Sequence, residues 1–206
     1  MGRSVSLAIV ISLSMLGCDD TGHDSSSSPT WSPAPMATVG VRYDQQLHDE
    51  LMAMFRHDQA GRTGGIDNEG DDARTQRLKE IIAEHGWPTI DLVGKDGANA
   101  AWAIVQDSDL DPDFHTVVLE LLTAAAKADQ ASWGNVAYLD DRIAVAKGAK
   151  QTYGSQITCT ESGASVTTPL AKPDRIEQLR AKAGMEPMHV YLNEMERFCA
   201  LQPAGG

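Results

Sequence analysis

The chain has 206 residues, with 29 acidic against 17 basic side chains and a formal charge of −12. That is enough for one domain and a leader, and so acidic a balance argues against nucleic acid and anionic lipid headgroups, which reward clustered Lys and Arg. The sequence lacks H-E-x-x-H, G-x-S-x-G, a phosphate loop and a paired C-x-x-C, so no metal or cofactor is expected.

At the start, Arg3 precedes an apolar run from Val5 to Leu16 that is too short for a permanent membrane span. The run ends in M-L-G-C, which resembles the lipobox of bacterial lipoproteins. On that resemblance residues 1–17 form a signal peptide and Cys18 is lipidated, so the protein is exported and anchored to the bacterial membrane, facing periplasm or exterior. Residues 18–40 are rich in Ser, Pro and Gly without periodicity, as in a disordered tether. Residues 41–203 are left for a single helical domain.

The first helix, about Asp44–Ala60, sets Leu47, Leu51, Met54 and Phe55 on one face, and the same face reaches Asp58 and then Arg62. A carboxylate so close to an apolar stripe needs a base, Arg62 or Arg142. A Gly/Asp loop leads to a helix over about Ala73–His85, where His85 packs or caps and the chain stops at Gly86. After a turn through Thr89–Val93, a helix over about Gly97–Asp107 places Trp102, Gln106 and Asp109 on one side. The run D-S-D-L-D-P-D imitates a calcium loop, but Pro112 and Val118 stand where Gly and Glu are required. Its acids instead suit the amino end of the next helix, about Pro112–Asp129.

Ser132 caps a central helix that carries Val136, Leu139 and Ile143 on one stripe and Tyr138, Asp141, Arg142 and Val145 beside it. Gly148 stops it. Strands at Gln151–Thr158 and Ser165–Leu170, joined by E-S-G-A, make a hairpin within about 150–170. Asp174 caps a short helix that ends at Gly184, and a last helix carries Met188, Tyr191, Leu192, Met195 and Cys199 inward. The expected fold is mainly α, a bundle of about six to seven helices with one small antiparallel hairpin. With Cys18 lipidated, Cys159 and Cys199 remain either as a disulfide or as two buried thiols.

D-Q-x-x-R at Asp58, Gln59 and Arg62, G-W-P at 86–88, Q-D-x-D at 106–109, Y-L-x-D-R-I at 138–143, Q-x-Y-G-S-Q at 151–156 and R-x-x-x-G-M-x-P at 180–187 together resemble a bacterial family defined only as a domain of unknown function. The resemblance covers roughly residues 45–195. Asp107 stands where that family carries a His, and the family implies no activity.

The side chains that a function would use are Asp58, Gln59, Arg62, Trp102, Gln106, Asp109, Asp141, Arg142, Gln151, Tyr153 and Gln156. Amides, Arg and Tyr read ligands well and attack them poorly. A binding module for a polar small molecule, glycan or peptide, with Trp102 or Tyr153 as a stacking wall, is therefore the first reading. A hydrolase or lyase using Asp58 or Asp109 as general acid or base, with Arg142 stabilising negative charge, is the second. The third is a polar network that only fixes the packing of the central helix and hairpin. All three assume that these residues converge around Arg142.

Overall fold

The computed structural model describes residues 4–6, 43–62, 66–67, 69–108 and 111–201. Cys18, the Ser/Pro-rich segment and Asp109 lie outside that set. The described chain contains β1 (Ser4–Ser6, backbone only), α1 (Gln45–Arg62), α2 (Gly70–His85), α3 (Ile90–Gln106), α4 (Pro112–Lys127) and α5 (Trp133–Ala146). The hairpin β2 (Gln156–Thr160) and β3 (Gly163–Val166) follows, then a 3-10 turn at Pro173–Arg175, α6 (Ile176–Lys182) and α7 (Met188–Leu201). The fold is thus a bundle of seven helices, among the described residues, with a small antiparallel sheet in the order β1-β2-β3.

Helix starts follow local capping chemistry. The Asp44 carboxylate accepts the Leu47 N–H at 3.0 Å, Asp111 accepts that of Phe114 at 2.9 Å, and Ser132 accepts that of Gly134 at 3.1 Å. Asp174, expected to cap a helix, sits inside the 3-10 turn and makes no such bond. The expected turn at Thr89–Val93 and the helix after it form one element, α3, broken at Gly94. Gly94 has φ 75°, a left-handed conformation that lets a first turn capped by Thr89 meet a longer segment at an angle.

The apolar stripes meet as their spacing requires. Leu51, Leu78, Ile81, Ile82, Val105, Leu122 and Leu139 are fully enclosed, each worth about 1.5–3 kcal/mol relative to exposure. α1 lies chiefly against α3, and α4 against α5, which also touches β2. His85, expected to pack or cap, is instead exposed beside Glu84. None of the helices formed by described residues is long and apolar enough to cross a membrane.

The hairpin register pairs Ile157 with Val166, Thr158 with Ser165, Cys159 with Ala164 and Thr160 with Gly163. Its turn is therefore Glu161–Ser162, two residues shorter than the E-S-G-A expected. The first strand starts at Gln156, not Gln151, because residues 151–155 are held as a loop by side chains described below. A disulfide joins Cys159 on β2 to Cys199 on α7, with Cα atoms 5.4 Å apart across a separation of 40 residues. Closing a loop of that length stabilises a domain by roughly 2–4 kcal/mol.

Candidate functional site

The predicted polar residues fall into two groups, and they do different work. The first group surrounds the loop 151–155. Asp141, wholly buried, accepts the backbone N–H groups of Thr152 (2.6 Å), Tyr153 (3.1 Å) and Ser155 (2.8 Å) and the Ser155 hydroxyl (3.0 Å). Burial pushes its carboxyl above the ordinary range, and the bonds from Ser155, Tyr153 and Thr152 pull it back. Gln151 donates to the carbonyls of Gln156 (3.0 Å) and Thr168 (3.2 Å) and accepts the Gln156 N–H (2.8 Å). Gln156 in turn donates to the Ser155 hydroxyl at 3.2 Å.

Arg180 closes this group from the far side. It lies over the Tyr191 ring, 4.8 Å from its centre, and donates to the carbonyls of Tyr153 (2.9 Å) and Glu186 (2.7 Å). In the sequence Arg180 stands in the R-x-x-x-G-M-x-P motif and on one face of the short helix with Ile176, Leu179 and Ala183. A base on the inner face of a short helix was the signal available for it. Most of these polar atoms meet backbone or the Ser155 hydroxyl, which is the structural role, and Arg180 Nη2 is left buried without a partner.

The second group lies at the carboxyl ends of α1 and α3. Asp58, 1 % exposed, takes Arg62 through Nε (3.0 Å) and Nη2 (2.8 Å) and the Gln59 amide (2.7 Å). Four residues outside the candidate set, Asp67, Asp71, Arg74 and Asp107, complete it. Arg74 grips Asp67 with both Nη atoms at 2.8 Å, holding that carboxyl well below the usual range, and also reaches Asp71 at 2.6 Å. The Nη2 of Arg62 faces three carboxylates, those of Asp58 at 2.8 Å, Asp71 at 3.1 Å and Asp107 at 3.0 Å.

That nitrogen has two protons, and they go to Asp58 and Asp71. Asp107 therefore receives the charge of Arg62 without a hydrogen bond. Burial pushes its carboxyl up to about 7, with the charges of Arg62 and Arg142 opposing and those of Asp58 and Asp71 reinforcing. Its side chain keeps 14 % exposure, so the carboxyl is largely but not wholly enclosed. The sequence marked Asp107 only as a departure from a His.

Trp102 and Tyr138 set where Gln106 lies. Asn135 donates to Asn99 at 3.2 Å, Trp102 donates its indole N–H to the Asn135 carbonyl at 3.2 Å, and the Trp102 and Tyr138 rings meet edge to face at 6.0 Å. These contacts tie α3 to α5. One turn past Trp102 on α3 comes Gln106, and the charge of Arg142 reaches Asp107 just beyond it. Trp102 is thereby locked into the core, 5 % exposed, and is not the open stacking wall expected from sequence. Gln106 is 1 % exposed, and neither its amide oxygen nor its nitrogen has a partner.

A Ser–His contact nearby carries no nucleophile. Ser108 Oγ lies 3.0 Å from His115 Nε2, but both atoms also reach the Val105 carbonyl, at 2.7 and 2.9 Å. A carbonyl has no proton to give, so Nε2 holds one and cannot accept from Ser108. Among the described residues no three His, Cys, Asp or Glu side chains are grouped to hold a metal ion. Asp109 lies outside the described residues.

The chain belongs to the family of unknown function DUF6624, whose model matches residues 45–202. The match spans every element from α1 to α7, so both polar groups fall within it. No curated protein and no solved structure matches the chain.

Proposed function

We propose that this protein is an exported, lipid-anchored cell-envelope protein whose site at the ends of α1 and α3, beside α5, binds a polar small molecule, glycan or peptide. The observation that carries the binding reading is the Gln106 amide, sealed from water with donor and acceptor both unused. A buried amide left unmet costs about 1–3 kcal/mol, and Gln106 leaves both of its amide atoms unmet. A ligand presenting an acceptor and a donor side by side, as amides and sugar hydroxyls do, offsets that cost when the side chains that cover Gln106 move aside. Arg62 and Asp107 lie on the more exposed side of the same cluster.

The test compares wild type with Gln106→Met, of similar shape and no amide. The variant is expected to be more stable by about 1 kcal/mol, a few degrees in Tm, and to lose the thermal protection that N-acetylglucosamine or N-acetylated dipeptide amides give wild type. A variant less stable by a similar margin would show that the amide serves the fold. Export is supported by M-L-G-C at Cys18 and by the Cys159–Cys199 bond, which suits an oxidising compartment. Cys18→Ser is expected to move the protein from the membrane to the soluble fraction of its host, and retention in the membrane fraction would remove the lipid anchor.

A second reading, acid–base chemistry, is favoured by one observation: Asp58 and Asp107 share Arg62 Nη2, and only Asp107 lacks a hydrogen bond from it. Asp58 is enclosed and fully engaged, so Asp107 takes the role of general acid or base that the sequence assigned to Asp58 or Asp109.

A further inference from the structure

We propose that the notch opened by the break in α3 at Gly94 is a second binding site, for a small carboxylic acid with a short apolar body. It is a cavity of about 270 Å³ with Trp87, Ile90 and Leu122 as its apolar wall and Lys95, Asn99 and Asn135 as its polar side. The volume falls just below the range of sites for drug-sized ligands, so the occupant is smaller.

The charge of the lining selects the ligand. In a chain with 29 acids, no carboxylate lines this cavity. The nearby Asp96 is turned to His48 at 3.3 Å and to the Gly97 N–H at 3.1 Å. The Lys95 ammonium makes no ion pair with any described residue. Ser132, the cap of α5, stands on the same wall, and α3 resumes after Gly94, so two helix starts add positive potential. Trp87 is 1 % exposed and forms part of the apolar wall. The same lining rejects a free ammonium, because nothing there would pair with it. Deaminated or N-acylated acids fit, and zwitterionic amino acids do not.

Three probes separate the possibilities: isovalerate, its uncharged amide isovaleramide, and valine, which adds the ammonium. Heteronuclear NMR of the whole chain is expected to show isovalerate shifting the Trp87 indole and the Asn99 and Asn135 side-chain signals, with the other two at least tenfold weaker. Lys95 is exposed, so Lys95→Met keeps the fold and is expected to weaken isovalerate roughly tenfold. Equal binding of isovaleramide, unchanged affinity in Lys95→Met, or no shift of these signals by isovalerate would each overturn the proposal. The site stands apart from the Gln106 cluster, so Gln106→Met is expected to leave isovalerate binding intact.

Discussion

Replacing Asp141 with alanine is expected to cost about 4 kcal/mol, a large share of what holds a domain of this size folded. The carboxylate accepts three backbone N–H groups and one hydroxyl. Alanine offers them nothing, and each enclosed N–H left unmet costs about 1–3 kcal/mol. The damage extends beyond the loop, since Arg180 holds the Tyr153 carbonyl and Tyr191 donates to the Ser155 carbonyl at 2.7 Å. Both contacts depend on the backbone that Asp141 fixes. Asp141→Asn keeps an acceptor oxygen and is expected to lose about half as much. Urea unfolding measures both, and an alanine variant within about 1 kcal/mol of wild type would contradict the assignment.

Asp107→Asn is expected to change how stability depends on pH. In the unfolded chain the carboxyl titrates near 3.9, and in the fold burial holds it at about 7. Between those values the native state carries a proton that the unfolded state lacks. Stability contributed by Asp107 is therefore complete below pH about 4 and is lost as pH rises to about 7, by roughly 1.4 kcal/mol per unit and on the order of 4 in all. Asparagine cannot titrate, so the variant should gain on wild type steadily across this window and level off above it. Burial also raises Asp140 and Asp141, but they are common to both proteins and cancel in the difference. Parallel denaturation curves across the window would place Asp107 in water. Under the acid–base reading, activity of the wild type should follow the same titration.

The helices were legible because their stripes are regular: Leu47, Leu51 and Met54, or Phe114, Val118 and Leu122, announce a buried face at helical spacing, and the caps at Asp111 and Ser132 announce where it starts. The first strand was misplaced because a carboxylate eleven residues earlier, Asp141, holds Thr152 as a loop, and spacing cannot show such a tertiary bond. The candidate residues were recognised as polar groups on packed faces. Their division was not legible: Asp141, Gln151 and Gln156 turn to backbone, while Gln106 turns to nothing in the fold. Trp102 was misjudged because an aromatic beside polar residues reads the same whether it lines a cleft or fills a core. Asp107 was passed over because its character comes from neighbours on α1 and α2, which no local pattern records.

The bond between Cys159 and Cys199 also decides what a protease can release. The stretch between β3 and α7 presents exposed Arg175 to solvent. A chain nicked there stays in one piece, its carboxyl-terminal fragment carried along by the hairpin, and only a reductant sets that fragment free.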